Sequence, residues 1–472
     1  MIQATGRLIV VSNRVPNPAA KTAQAGGLAV AIHELLSEMG GIWFGWNGKV
    51  GSHSRADPAI TKDGAITYAT MELSRRDYTQ YYNGFANRSL WPLFHYRLDL
   101  TLFDRGQYYS YVDVNRRFAE KLTKLLRKND LIWVHDYHLI PLAAELRRLG
   151  NKQVMGFFLH TPFPAVEILT ALPAHEELVA ALCQYDLVGF QTKNDRRAFA
   201  DFIQHVVGGR VLRNKKVEAH GRAFEIGVFP VGIDPEPFAR AALNPKRMAR
   251  GRRLKEQYGD TAWLIGVDRL DYSKGLIERF RSFEKFLDKY PQYRKEVTFF
   301  QIAPPSRSEV PEYSAIRHEL EAEAGHINGR FAELDWVPIN YINKSYDRDQ
   351  LAAFYRDSRI GFVTPLRDGM NLVAKEYVAA QNPTDPGVLV LSRFAGAARE
   401  LDGALIVNPF NHDAVADAIA RGLEMPQEER YERWDSMIST VKRDNIGRWG
   451  KTYLNALRRA GSHNQRRARP NA

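Results

Sequence analysis

Short runs of β-branched and other apolar residues recur along this chain, and each is followed by a longer segment whose apolar positions repeat at helical spacing. In the first half the runs are LIVVSNR, DLIWVHD, VMGFFLHT, DLVGFQT and EIGVFPVGID, with helix-period segments such as SRRDYTQYYNGFANRSL and VNRRFAEKLTKLLRK between them. The pattern restarts with AWLIGVDRL and continues through EVTFFQIA, IGFVTPL, VLVLSRF and ALIVNP. Alternation of this kind predicts parallel sheets covered by helices on both faces, and the restart predicts two of them. The break is expected between Ile233 and Tyr258, because prolines follow the strand in PVGIDPEPF and the next stretch is basic and loop-like. In open α/β sheets ligands bind beyond the carboxyl ends of the strands, so the residues just after each run are where chemistry is sought.

Composition adds limits rather than a function. A chain of 472 residues with 44% hydrophobic and 25% charged residues is globular and too long for one ordinary core. No stretch approaches the ~18 uninterrupted apolar residues of a membrane span. The start, MIQATGRLIVVSNRV, has no basic segment followed by a long apolar one, so a cytoplasmic protein is expected. The lone Cys183 lies in the apolar ELVAALCQYDLV and reads as a core residue. The net charge of +12 raises nucleic-acid binding as a reading, but its location argues against it. From Lys442 onward nine Lys and Arg stand against Asp444 alone, and a second cluster runs from Lys246 to Lys255. The ending RRARPNA has little apolar surface to pack and is expected to be a solvated tail.

Several groups of residues at expected strand ends carry chemistry. Ala25-Gly26-Gly27-Leu28 precedes a helix-period run; paired glycines admit a ligand close to backbone N–H groups at a helix N-terminus, although a simple turn has the same signature. GVDRLDYSKG places Arg269 and Lys274 at one strand end, suited to a nucleotide diphosphate and to the charge that develops when the nucleotide leaves. The bland alternative is a surface cluster of Asp, Arg and Lys. TPLRDGMNLVAKE sets Asp368 in a turn, the amides of Asn371, Leu372 and Val373 at a helix start, and Glu376 further along. That segment can offer carboxylates to hydroxyls and amides to phosphate.

VHDYH, with His135, Asp136 and His138, and FFLHTPFP, with His160, end two strands of the first half. Such side chains can ligate zinc, yet no H-E-x-x-H or cysteine ligand set accompanies them, and they serve equally well as hydrogen-bonding partners of a polyol. Arg14, Tyr82, Trp91 and Arg307 could form a pocket for an anionic sugar, with aromatic faces for the ring and guanidiniums for a phosphate. Taken singly, aromatic residues at such spacings, including Trp43 and Trp46, read first as packing residues.

In their order, SNRVP, AGGLAVAI, WFGWNG, YYNGFANRSLWPLFHYR, WVHDYHL, LHTPFP, GVDRLDYSKG, QIAPPSR and LRDGMNLVAKEYVAAQ make the chain resemble the trehalose-6-phosphate synthase family of retaining glycosyltransferases, from about Leu8 to Asn455. The resemblance implies an α/β fold of two Rossmann-like doubly wound parallel-sheet domains facing across a cleft, the GT-B arrangement. The expected boundaries are 1–235 for the acceptor-side domain, 236–445 for the nucleotide-sugar domain, 446–460 for a helix returning to the first domain and 461–472 for the basic tail. It implies transfer of glucose from a nucleotide-glucose, UDP-glucose foremost, to glucose-6-phosphate. Arg269 and Lys274 would bind the diphosphate, Glu376 the ribose, and Asp368 and His160 the donor glucose, with Gly26 and Gly27 in the loop that closes over it. Arg14, Tyr82, Trp91 and Arg307 would hold the acceptor, with Asp136 at its sugar. The mechanism implied is front-side attack without an enzyme nucleophile, needing no metal and no cofactor. No nucleic-acid or membrane partner is implied, and homo-oligomer formation is left open. Rival readings are a relative with another acceptor, such as a glucosylglycerol-phosphate synthase or a pseudo-glycosyltransferase, and a non-catalytic sugar-phosphate sensor.

Overall fold

A computed structural model describes residues 6–16, 27–51, 56–213, 215–243, 261–307 and 309–467. The chain divides into two compact units, Met1–Val231 with Ile446–Ala472, and Gly232–Asn445.

In the first unit the strands are β1 (Leu8–Arg14), β2 (Gly41–Val50), β3 (Ala59–Asp63), β4 (Ile66–Leu73), β5 (Leu131–His135), β6 (Val154–Phe158), β7 (Leu187–Phe190), β8 (Arg210–Val211), β9 (Lys216–Ala219) and β10 (Arg222–Val228). They form one sheet in the order β3-β4-β2-β1-β5-β6-β7-β10-β9-β8. Its centre, from β4 to β10, is parallel, and antiparallel β3, β9 and β8 finish the edges. Central strands covered on both faces must be apolar throughout, which is why β1 is buried from Leu8 to Asn13 and β5 over its whole length. From β1 the chain proceeds to β2 on one side and, later, to β5 on the other. That reversal opens a crevice at the carboxyl ends of β1 and β5.

The second unit holds β11 (Ala262–Val267), β12 (Val297–Ile302), β13 (Ile339–Ile342), β14 (Ile360–Val363), β15 (Val388–Ser392) and β16 (Leu405–Val407), all parallel, in the order β13-β12-β11-β14-β15-β16. Here the reversal falls between β11 and β14. Among the described residues no helix is long and apolar enough to cross a membrane, and Cys183 is buried.

Three features depart from the pattern read in the sequence. Strands β2, β3, β4, β8, β9 and β13 add to those expected: β2 is rich in Gly and Trp, and every residue of β3 is exposed, so neither shows the run of β-branched residues that marks a central strand. SRRDYTQYYNGFANRSL begins as a short helix at Arg75–Asp77, capped by Ser74, and continues as a π-helix over Tyr78–Leu90. Wide π turns are rare and tend to occur where side chains are aimed at a site.

The third is the carboxyl end. The last helix runs Ile446–Arg467, so the tail expected from residue 461 is helical as far as Arg467. The cause is packing on the first unit. Tyr453 stacks on Trp133 with ring centres 4.4 Å apart and donates to the Phe157 carbonyl at 2.9 Å. Gly156 and Gly189 make room for it, since a Cβ at either would lie 2.5 and 2.7 Å from the Tyr453 ring or hydroxyl. The close fit extends to Gly461, where a Cβ would sit 2.4 Å from Val154.

Candidate active site

The crevice of the first unit is built around Asp136, the residue after β5. Its φ of 73° lies in the left-handed region, a conformation that costs a non-glycine residue roughly 1–3 kcal/mol unless its surroundings impose it. They do: Asp136 N–H donates to the Phe158 carbonyl at 2.9 Å, the Leu139 N–H donates to the Asp136 carbonyl at 3.1 Å, and the His160 N–H donates to its carboxylate at 3.3 Å. β5 and β6 thus deliver Asp136 and His160 to one place. The imidazoles of His135 and His160 meet at 3.1 Å, Nδ1 to Nε2, and share one hydrogen. Burial lowers both, His160 to about 3, so each ring is neutral at pH 7. Trp449, from the last helix, lies beside both rings at 6.2 and 6.1 Å.

An aromatic row leads from His138, three residues after His135, to the end of β1. His138 stacks on Tyr82 at 5.8 Å, Tyr82 meets Trp46 edge-on at 5.4 Å, and the Arg14 guanidinium lies 5.9 Å over Trp46. Gly48, at φ 86°, holds a left-handed conformation that favours glycine, and it lies directly beside the guanidinium. Arg14, exposed, and Tyr82, half-buried, are therefore placed on one surface. Trp91 is different. It is 6% exposed and packs on His95 and Tyr137 at 4.1 and 5.7 Å, so the reading of such aromatics as packing residues describes most of its ring. Among the described residues no group of three or more His, Cys, Asp or Glu is arranged to hold a metal ion.

In the second unit the loop after β11 carries Arg269, exposed, and a tight turn, Tyr272–Lys274, capped by Asp271. Gly275, with φ 63°, lets this loop press on the next strand end: its Cβ would be 2.5 Å from the Thr364 carbonyl. The Leu366 N–H closes the junction by donating to the Ser273 carbonyl at 2.9 Å. Lys274 is thereby brought into an ion pair with Asp368, 94 residues away. Asn371 donates to the same carboxylate at 3.1 Å and, with φ 74°, caps the helix Leu372–Ala380 by accepting from the Ala374 N–H at 3.2 Å. The N-terminus of that helix, with Leu372 and Val373, is a ready anion site. One turn further, burial raises Glu376 to about 7 despite Arg348 and the Tyr355 hydroxyl beside it.

Arg307, expected from its motif, lies in this same cluster, at φ 50°. It pairs with the fully buried Asp271 at 3.3 Å and with the Tyr313 hydroxyl, which itself donates to Asp271 at 3.2 Å. Asp268, after β11, is buried against Arg279 at 2.8 Å. GVDRLDYSKG is therefore not a surface salt-bridge cluster. Its two aspartates pair with distant arginines and its lysine with a distant aspartate. Asp271, Tyr313 and Arg279 were not singled out in the sequence; only the two extra aspartates of the motif hint that buried cations must meet them. Gly27 begins the helix Gly27–Met39, while Gly26 lies outside the described residues.

Two parallel-sheet units in one chain, each with its polar side chains gathered where the strand order reverses, form the architecture of GT-B glycosyltransferases. The chain belongs to glycosyltransferase family 20, which it matches over residues 6–459. It is 49% identical to a trehalose-6-phosphate synthase of Enterobacter sp. (strain 638) over 456 residues, which is 96% of this chain and 95% of that one. The crystal structure of an alpha,alpha-trehalose-phosphate synthase (UDP-forming) from Burkholderia vietnamiensis superposes with a TM-score of 0.95 at 51% identity, covering 97% of this chain and 98% of that chain. A UDP-forming enzyme of Burkholderia xenovorans, in complex with glucose-6-phosphate, gives 0.92 at 52% identity, covering 96% and 100%.

Proposed function

We propose that this enzyme transfers glucose from UDP-glucose to glucose-6-phosphate with retention, giving alpha,alpha-trehalose 6-phosphate and UDP. The observation that carries the reading is the Lys274–Asp368 pair beside a helix N-terminus at the carboxyl end of the second sheet, with Arg269 on the adjoining strand end. A diphosphate attracts both cations and the helix amides, and Asp368, once Lys274 turns to phosphate, is left to accept from sugar hydroxyls. Glu376, one helical turn on, suits the two hydroxyls of a ribose. On the first unit, Asp136 and the neutral His160 accept from or donate to sugar hydroxyls. Arg14, Tyr82 and Trp91 receive glucose-6-phosphate, and Arg307, in the second unit, serves as a phosphate-binding cation.

In the reaction the bond between glucose C1 and the β-phosphate oxygen breaks while the acceptor hydroxyl oxygen bonds to C1 on the same face. Its proton passes to the departing phosphate oxygen, so no enzyme base is needed. Arg269 and Lys274 stabilise the charge on that oxygen, and a donor in this role is worth roughly 3–4 kcal/mol. The test is to incubate the enzyme with glucose-6-phosphate and UDP-, GDP- or ADP-glucose and to identify the product by mass spectrometry and NMR. An α,α-1,1-linked disaccharide phosphate formed fastest from UDP-glucose is expected; absence of any disaccharide would refute the proposal, and a different linkage or acceptor would redirect it.

A further inference from the structure

Arg279 lies on the helix Leu276–Lys289, its side chain fully buried beneath the loop that carries Arg269 and Lys274. Its guanidinium joins three neighbouring strand ends of the second sheet. Nη1 donates to Asp268 after β11 and to the Gln301 side chain of β12, both at 2.8 Å. Nε donates to the Thr364 hydroxyl after β14 at 3.0 Å, and Nη2 to the Lys274 carbonyl at 3.3 Å. Gly266 leaves the space, since a Cβ there would stand 2.7 Å from Nη1. Asp268 immediately precedes Arg269, and the carbonyl that Arg279 grips belongs to Lys274 itself. One planar group thus fixes both ends of the loop that carries the two cations, and fixes the strand end leading to Asp368.

We propose that Arg279 is a positioning residue for sugar transfer, holding Arg269, Lys274 and Asp368 in the mutual geometry that receives the donor diphosphate; this rests on the role given to Arg269 and Lys274 above. A buried cation of this kind is more than a core ion pair. Asp268 alone needs a single partner, whereas the four bonds go to both ends of the β11 loop, to β12 and to the end of β14. Lysine keeps the charge but offers a single ammonium in place of a planar fork, so it can satisfy Asp268 without spanning to Thr364 and the Lys274 carbonyl.

The test compares Arg279→Lys with Arg430→Lys, a buried arginine of the same unit that bonds the Met425 and Pro386 carbonyls and is remote from the loop. Arg279→Lys is expected to lower kcat about tenfold and UDP affinity severalfold, with the KM for glucose-6-phosphate unchanged. Arg430→Lys, even with an equal fall in Tm, should keep kcat within twofold. Combining Arg279→Lys with Lys274→Ala gives a further reading, because residues acting through one another do not multiply. The double variant should lie within about threefold of Lys274→Ala alone. Unchanged kcat in Arg279→Lys, or losses that multiply fully, would overturn the inference. Should Arg279→Lys fail to fold, Thr364→Val removes one acceptor of the same guanidinium and decides the matter: a fall of about threefold in kcat supports the role and wild-type turnover refutes it. If Lys274→Ala itself retains normal kcat, the diphosphate reading fails first, and the two failures are thereby told apart.

Discussion

Glu376→Gln tests the second unit at a group that, on the proposed reading, links stability to ligand binding. In the folded chain Glu376 is raised from 4.5 to about 7, chiefly because burial disfavours the carboxylate. Between those values the unfolded chain has lost its proton and the folded chain keeps it, so the native state binds more protons and stability falls as pH rises through this window. Above pH 7 the full penalty applies, about 3 kcal/mol. Glutamine removes the titration while keeping the shape. The variant should therefore unfold at nearly the wild-type temperature near pH 5 and at a Tm higher by about 5 °C or more at pH 8. Nucleotide binding should move the opposite way. The ionised carboxylate is the form that accepts two ribose hydroxyls, so wild-type affinity for UDP should rise with pH up to about 7. The variant should bind UDP at least tenfold more weakly at pH 8, as hydrogen bonds to a charged group are worth about 1.5–3 kcal/mol, and with little pH dependence. Circular-dichroism melts at pH 5, 6, 7 and 8 and calorimetric titration with UDP supply both readings. A Tm difference that is constant across this range, or a variant that binds UDP as wild type does, would refute the reasoning.

Arg269→Ala and Lys274→Ala should each lower kcat about a hundredfold with the fold intact, since the developing phosphate charge loses a partner; turnover near wild type in either would remove that residue from the scheme. Arg307→Ala leaves the fully buried Asp271 without its cation, so a stability loss of about 3 kcal/mol is expected in denaturant unfolding, and adding Asp271→Asn should recover part of it. In that stabilised background the loss of activity should be large with glucose-6-phosphate and small with glucose, and equal losses would assign Arg307 to the donor or the fold. Gly156→Ala should destabilise the first unit by about 1–3 kcal/mol, because the added methyl meets the Tyr453 hydroxyl and Leu457, and an unchanged melting curve would show that the last helix is free to shift.

The repeated apolar runs were sufficient to place β1, β5, β6, β7 and β10 of the first sheet and β11, β12, β14, β15 and β16 of the second, because strands buried on both faces admit little else than β-branched and other apolar side chains. Motif order was sufficient to indicate the family, and the turns after those strands were sufficient to direct attention to Asp136, His160, Arg269, Lys274 and Asp368. Strand β3, fully exposed, and β2, built from Trp and Gly, were not legible, since what makes them strands is the neighbour each pairs with. The carboxyl helix was expected to stop at 460. It continues past that point, where Gly461 packs on Val154 from a strand some three hundred residues earlier, and local composition carries no trace of that contact. Partners were hidden for the same reason. Lys274 and Asp368 were both visible as candidates, but only the packing of the β11 loop onto the end of β14, through Gly275 and Thr364, makes them a pair. Arg279 looked like one more helix residue, and its role depends on three parallel strands ending side by side around its guanidinium. Hydrophobic pattern is a property of neighbours along the chain and is written in the sequence; a hydrogen-bond network joins segments that only the folded sheet brings within 3 Å.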